Sequence, residues 1–178
     1  MKLFLVRHSQ TNYNVLGLCN GDPAVDVHLT REGIEQTQNL AELLREATFD
    51  TVYISELPRT RETAAIINQF HNKEVIVDGR LNDNRTGYEG KPVKEWQAAL
   101  EASDDKWNAV FNDGESLAAA ARRGQSFLED VTHSGHDSIL VVTHGFMTQA
   151  LYGVIEHKTL EEASTFTLVQ GTYAEFEL

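Results

Sequence analysis

Apolar positions in this chain fall into short continuous runs separated by stretches with helical spacing. Leu3-Phe4-Leu5-Val6 leaves no room for a helical turn before the polar Arg7-His8-Ser9, and it predicts a first strand. Thr51-Val52-Tyr53-Ile54, Val75-Ile76-Val77 and Ser138-Ile139-Leu140-Val141-Val142 predict three more strands. Phe166-Thr167-Leu168-Val169 and Tyr173-Ala174-Glu175-Phe176, joined around Gly171, predict a closing pair. The intervening stretches read as helices. Thr30 caps one whose inward stripe is Ile34, Leu40, Ala41 and Leu44, with Glu35, Gln38, Glu42 and Arg45 facing water. Another runs from about Leu57 to Gln69, and Pro92 opens a short amphipathic piece with Val93, Trp96 and Leu100. Ser116 caps the most regular one, with Leu117, Ala120, Ala121, Gly124, Leu128 and Val131 on one face, and a last one covers Met147 to Ile155.

Strands alternating with helices predict an α/β fold, a three-layer α/β/α sandwich on a mostly parallel sheet, with an antiparallel strand possible at the end. At 178 residues, with no repeat, low-complexity tract or linker, the expectation is one domain spanning 1–178. Two stretches show neither period. Leu16 to His28 carries Gly17, Gly21 and the Asp22-Pro23 turn signal, and Leu81 to Pro92 is rich in Asn, Gly and charge. Irregular loops in a small domain are where function concentrates.

Two of the predicted strands end in histidine: the first at Arg7-His8, the fourth at Thr143-His144-Gly145. Open α/β sheets keep their ligands at the carboxyl edge, so these ends point to one site built from distant parts of the chain. A neutral imidazole is a competent nucleophile near pH 7, and the planar fork of Arg7 can bridge two phosphoryl oxygens. Phosphoryl transfer is the chemistry that this pairing fits. Read alone, Arg59 is a solvated helix residue and His144 a satisfied core histidine.

Charge narrows the partners. The chain carries 15 basic and 27 acidic residues, a formal charge of −12, which disfavours nucleic acid and anionic membranes. An anionic ligand must then be small and held by a local basic cluster. Cys19 is the only cysteine, which excludes an internal disulfide and fits a reducing cytoplasm. The start Met1-Lys2 runs straight into a strand without signal-peptide features, and no apolar run approaches the roughly 20 residues of a membrane span. A cytoplasmic location is the expectation. His133 and His136 lack cysteine or carboxylate company, so no metal site and no cofactor is predicted. Arg122 and Arg123 are expected to face solvent, and Trp96 and Trp107 to pack or serve as lid residues. Once the core faces are assigned, no apolar stripe remains to indicate an oligomer.

Leu5-Val6-Arg7-His8-Ser9-Gln10-Thr11 with Asn14 resembles the opening signature of the histidine phosphatase superfamily, the phosphoglycerate mutase-like fold. Four further segments resemble its motifs in order: Leu29-Thr30 followed by Gly33; Tyr53-Ile54-Ser55-Glu56-Leu57-Pro58-Arg59 with Thr63-Ala64; Gly114-Glu115-Ser116; and Val142-Thr143-His144-Gly145. The resemblance implies that His8 is phosphorylated during turnover and that Arg7, Arg59 and His144 hold the transferring oxygens. It makes Asn14 a neutral donor beside them. Ser9 and Gly145, where helices follow the two histidine strands, can add donors, and Gly21 joins Asn14 among the expected substrate-binding residues. The family's acid, a glutamate four residues before a glycine, falls on Asp83 when counted from Gly87. Counted back from Tyr88-Glu89-Gly90 without a gap, the place falls on Asn82, which cannot be an acid; Asp83 is preferred and Glu89 is the reserve.

The activity implied is metal-independent hydrolysis of a small phosphorylated metabolite. A mutase is the alternative, disfavoured because no insertion follows Gly90 to supply further arginines for a carboxylate. A noncatalytic phosphate-binding module is the other. Ser9 for the usual glycine, Gln10 for glutamate and Glu56 for proline are departures that bear on substrate preference more than on the basic chemistry.

Overall fold

The computed structural model describes residues 1–178. Its five strands are β1 (Lys2–Arg7), β2 (Thr51–Ile54), β3 (Glu74–Val77), β4 (Ser138–Thr143) and β5 (Tyr173–Glu177), in the order β3-β2-β4-β1-β5. The first four are parallel and β5 runs antiparallel to β1. The helices are α1 (Asn12–Leu16), α2 (Arg31–Leu43), α3 (Pro58–Asn68), α4 (Val93–Glu101), α5 (Leu117–Val131), α6 (Gly145–Ile155) and α7 (Leu160–Ala163), with a 3₁₀ turn at Gly79–Leu81.

Side chains alternate across a strand, and this alternation builds the three layers. Leu3, Leu5, Ile139 and Val141 point to the face covered by Phe127, Leu128 and Val131 of α5 and Met147, Ala150 and Leu151 of α6. Phe4, Val6, Leu140 and Val142 point to the other, covered by Leu40 and Ala41 of α2 and Ala64 and Ile67 of α3. The four strand residues Leu3, Leu5, Val141 and Val142 are fully buried, each contributing about 1.5–3 kcal/mol against exposure. A central strand reads as continuously apolar because both of its faces are covered.

Two expectations fail. Ile34 is 40% exposed instead of lying on the inward stripe, because α2 turns its Leu40 and Ala41 face to the sheet and its first turn over the loop after β1. Phe166–Val169 is not a strand: β1 already has β4 on one edge and β5 on the other. Carbonyls of this segment go elsewhere, Phe166 O accepting from Gln149 Nε2, which also takes Ser164 O just before it, and Leu168 O from Arg7 Nη1. Leu168 itself is buried in the core.

The register sets up the site. Arg7 lies opposite Thr143 and Ile54 opposite Val142, so the next residues along, His8, His144 and Ser55, meet at the carboxyl edge of three adjacent strands.

Candidate active site

His8 sits one residue past β1, 3% exposed, with its backbone N–H on Thr143 O at 2.9 Å. Its Nδ1 lies 2.7 Å from Ser9 O. A carbonyl can only accept, so Nδ1 carries the proton and Nε2 keeps its lone pair. That lone pair faces Arg59, whose Nε lies 3.0 Å from His8 Nε2 and 3.1 Å from His144 Nδ1. The ring centroids are 5.1 Å apart. With Nδ1 of His144 accepting, its Nε2 donates to Ser55 Oγ at 2.8 Å; Ser55 in turn reaches Thr60, whose hydroxyl ends on Leu57 O at 2.8 Å. Ser55 thereby fixes the His144 tautomer from behind, and the signal for it was its place at the end of a strand adjacent to β4.

Arg59 comes from the first turn of α3 and is 3% exposed. Its Nη2 donates to Asn20 O at 2.9 Å and lies 3.5 Å from Asp83 Oδ2, while Nη1 has no partner in the protein. Arg7 donates Nη1 to Leu168 O at 3.0 Å and leaves a buried Nε unpartnered. Unpaired guanidinium donors in a dry site are costly unless an anion takes them. Gly145 leaves room for this fork, since a Cβ there would stand 3.2 Å from Arg7 Cζ.

Burial and then the Arg59 charge hold both imidazoles well below the ordinary histidine value of 6.5. Burial, opposed by Asp83, pushes Arg7 down and lowers Arg59 to about 10, a value at which Arg59 stays cationic at neutral pH. Burial raises the Asp83 carboxyl, against the pull of Arg59.

Asp83 lines the same cavity as Arg7, His8 and Arg59. Its two competitors point elsewhere. Asn82 is turned to Glu56, accepting from its backbone N–H at 2.9 Å and donating to its carboxylate at 2.6 Å. Glu89 accepts from Thr86 N at 2.9 Å inside its own turn and does not reach the cavity. The Asp83 loop is tied to the sheet by Thr143 Oγ1 donating to Leu81 O at 2.7 Å.

Arg123, expected in solvent, holds this loop from α5. Its guanidinium donates to Arg80 O at 2.8 Å, Asn82 O at 3.2 Å and Asp83 O at 3.4 Å, and pairs with Glu115 at 2.5 Å. Glu115 also accepts from Arg85 N at 3.2 Å. Nothing in the helical pattern marks Arg123, because its partners are backbone carbonyls of a loop about forty residues away.

The remaining expectations divide. Asn14 and Gly145 line the cavity, but the Asn14 side chain closes a capping box, accepting from Thr11 N at 2.9 Å. Ser9 is fully buried and its hydroxyl accepts from Thr37 at 2.7 Å, away from the cavity. Gly21 is outside it too; it is there for a close crossing, as a Cβ would meet Asn84 O at 2.2 Å. His144 lies behind Arg59, fully buried and not on the cavity wall. The Thr30 motif is structural support: its hydroxyl reaches Gln10 Oε1 at 2.7 Å and caps Gly33 N at 3.0 Å, docking α2 on the segment after His8.

Two histidines with fixed tautomers, two arginines with spare donors and a carboxyl raised by burial lie together at a sheet's carboxyl edge, an arrangement suited to gripping a small anion. The chain belongs to the histidine phosphatase superfamily (branch 1), whose family model matches residues 3–178. It is 30% identical to phosphoserine phosphatase 1 of Hydrogenobacter thermophilus over 98% of this chain and 85% of that one. It is 31% identical to the metal-independent phosphoserine phosphatase of Arabidopsis thaliana over 85% of this chain and 67% of that one. The crystal structure of the alpha-ribazole phosphatase from Shigella flexneri superposes with a TM-score of 0.89 at 28% identity, covering 100% of this chain and 91% of that one. The chain is a phosphatase of this superfamily, acting on phosphomonoesters. No helix is long and apolar enough to cross a membrane.

Proposed function

We propose that the chain hydrolyses a small phosphorylated metabolite in two steps through a phosphohistidine on His8. In the first, the His8 Nε2 lone pair attacks phosphorus and the ester P–O bond breaks. The Asp83 carboxyl gives its proton to the departing oxygen. In the second, water attacks the phosphohistidine, its proton passes to the Asp83 carboxylate, the P–N bond breaks and phosphate leaves. Arg7 Nε and Arg59 Nη1 are the free donors for the equatorial oxygens. As the phosphoryl group arrives, its oxygens take over the Arg59 Nε–H now shared by the two rings, which frees Nε2 for attack. His144 acts through Arg59, setting the direction of its Nε–H.

The observation that carries this reading is the 2.7 Å contact of His8 Nδ1 with Ser9 O. It leaves Nε2 as the one nitrogen able to attack, on the side where the spare donors are. Two guanidinium charges supply the stabilisation for which other phosphatases use a metal, so we read the reaction as metal-independent. These residues, from position 7 to position 144, gather around one cavity at the sheet's carboxyl edge, which supports reading 1–178 as one catalytic unit. The lone, buried Cys19 fits a reducing cytoplasm.

The test is rapid quenching with a ³²P-labelled phosphomonoester. Label bound to the protein, stable to alkali and labile to acid, and missing in His8→Ala, is the expected result. Steady turnover with no protein-bound label, or with alkali-labile label, would overturn it.

A further inference from the structure

The cavity is lined by a second kind of chemistry besides its charged groups. Its volume is about 440 Å³, the size of pockets that take a whole organic molecule and not a phosphoryl group alone. Beyond the phosphate end its walls are Tyr13, Trp96, Trp107, Phe146 and Phe166. Arg7, Arg59 and Asp83 are the only charged residues on the cavity wall. Both arginines are committed to the phosphate end, where Arg59 also serves the two histidines. Lys106, beside the mouth, is engaged as well, with Nζ 2.7 Å from Glu161 and 4.7 Å from the centroid of the Trp107 ring.

The wall also carries neutral amides with unmet hydrogen bonds. Asn20 has neither Nδ2 nor Oδ1 partnered, and Asn84 has its Nδ2 free; all three atoms are buried, and both residues line the cavity. A buried amide costs stability until a ligand takes its bonds, and these offer donors and an acceptor to an uncharged polar group.

Resting on the reading of this site as a phosphomonoesterase, we propose that the alcohol released is neutral and carries a flat ring, seated among Trp96, Trp107, Phe146 and Phe166, with its polar groups on Asn20 and Asn84. A substrate with a carboxylate close to the ester, as in phosphoserine or phosphoglycerate, would bring a second anion into a wall with no cation left for it. Desolvating an unpaired carboxylate there opposes binding. Aromatic walls reward a ring by stacking and by area removed from water.

Phosphate release is measured for benzyl phosphate, propyl phosphate, phosphoserine and 3-phosphoglycerate, with 4-nitrophenyl phosphate as a general reporter. Benzyl phosphate should exceed propyl phosphate in kcat/KM by at least tenfold, and phosphoserine and 3-phosphoglycerate should fall below both. The benzyl-to-propyl ratio should drop toward one in Trp96→Ala and Trp107→Ala. The chain's two tryptophans are both in this wall, so their fluorescence reports occupancy without a variant. Benzylphosphonate should change it, and propylphosphonate should do so far less. Phosphoserine or 3-phosphoglycerate turned over as well as benzyl phosphate, or equal fluorescence responses to the two phosphonates, would overturn the substrate class while leaving the hydrolase intact. No release from any ester, 4-nitrophenyl phosphate included, would overturn the hydrolase reading and this inference with it.

Discussion

The two ends of one cavity are made by opposite rules. At the phosphate end the histidines and arginines leave a strand end or the first turn of a helix, and most of their polar atoms are held by named partners, while Arg7 Nε and Arg59 Nη1 stay free. His8 leans on Ser9 O, His144 on Ser55 and Arg59 on Asn20 O. The mouth is assembled from α4, the loop carrying Trp107, the start of α6 and the segment 164–168, and it is aromatic and neutral. Charge placed on a rigid sheet edge can be oriented to a few tenths of an ångström, which transition-state stabilisation requires. Apolar walls on loops need only size and shape, and can change without disturbing the chemistry. The proposed mechanism thus places reaction type in one end and the proposed substrate preference in the other.

The sharpest way to break that division is to remove the nucleophile. His8→Ala should lower kcat on the order of 10⁴-fold on every ester, whatever its alcohol, in a steady-state phosphate-release assay. A loss confined to ring-bearing esters would mean that the two ends are not separate.

Asp83 sits where the ends meet, and Asp83→Asn should split substrates by leaving group. Alkyl phosphates should lose about 10²–10⁴-fold in kcat, whereas 4-nitrophenyl phosphate, whose leaving group needs no proton, should lose little. Equal losses on both would remove Asp83 as the acid.

Arg123→Met should cost about 10- to 100-fold in kcat on alkyl phosphates with KM little changed, because the loop that aims Asp83 loses its carbonyl clamp. Since Arg123 acts through Asp83, the 4-nitrophenyl ester should again be spared. A uniform loss on both esters would reduce its role to general stability.

Acid tests how dry the phosphate end is. His8 and His144 stay neutral well below 6.5 when folded, so below that pH the unfolded chain binds protons that the folded chain does not. Stability should therefore fall as pH drops under 6.5, by up to about 1.4 kcal/mol per pH unit for each ring, read from urea midpoints at pH 7 and 5.5. Asp83 has the opposite sign. Its folded carboxyl titrates above 3.8, so its contribution declines as pH rises from 3.8 through that raised value. His28, exposed and raised by Asp26 and then Glu62, should titrate above 6.5 in an NMR pH titration of the histidine rings. A His8 resonance that moves with that of His28 would show a wet site and remove the contrast.

The smallest expected effect is none. EDTA should leave phosphate release unchanged, and a loss restored by a divalent ion would count against arginines as the source of charge.

Much of the phosphate end was legible before folding was known. Strand ends are sharp in sequence, so Arg7, His8 and His144 could be placed at an edge, and ordered motifs added Arg59. The count to Gly87 pointed to Asp83, which lines the cavity, while Glu56 holds the alternative Asn82 aside. The Ser9 and Gly21 expectations misread what those residues touch: one hydroxyl serves Thr37 and one missing Cβ clears Asn84. Phe166–Val169 misled because its alternation looks like a strand, while its carbonyls answer to Gln149 and Arg7.

The layers and the parallel sheet could be read from the linear pattern, because periodicity and strand ends are local properties, and the ordered motifs nominated the candidate reacting groups. The direction of each lone pair, the clamp of Arg123 on the Asp83 loop and the aromatic, uncharged mouth emerge from the folded chain alone. Those depend on which atoms meet across tens of residues, and hydrogen bonds to backbone carbonyls leave no mark in the pattern of side chains.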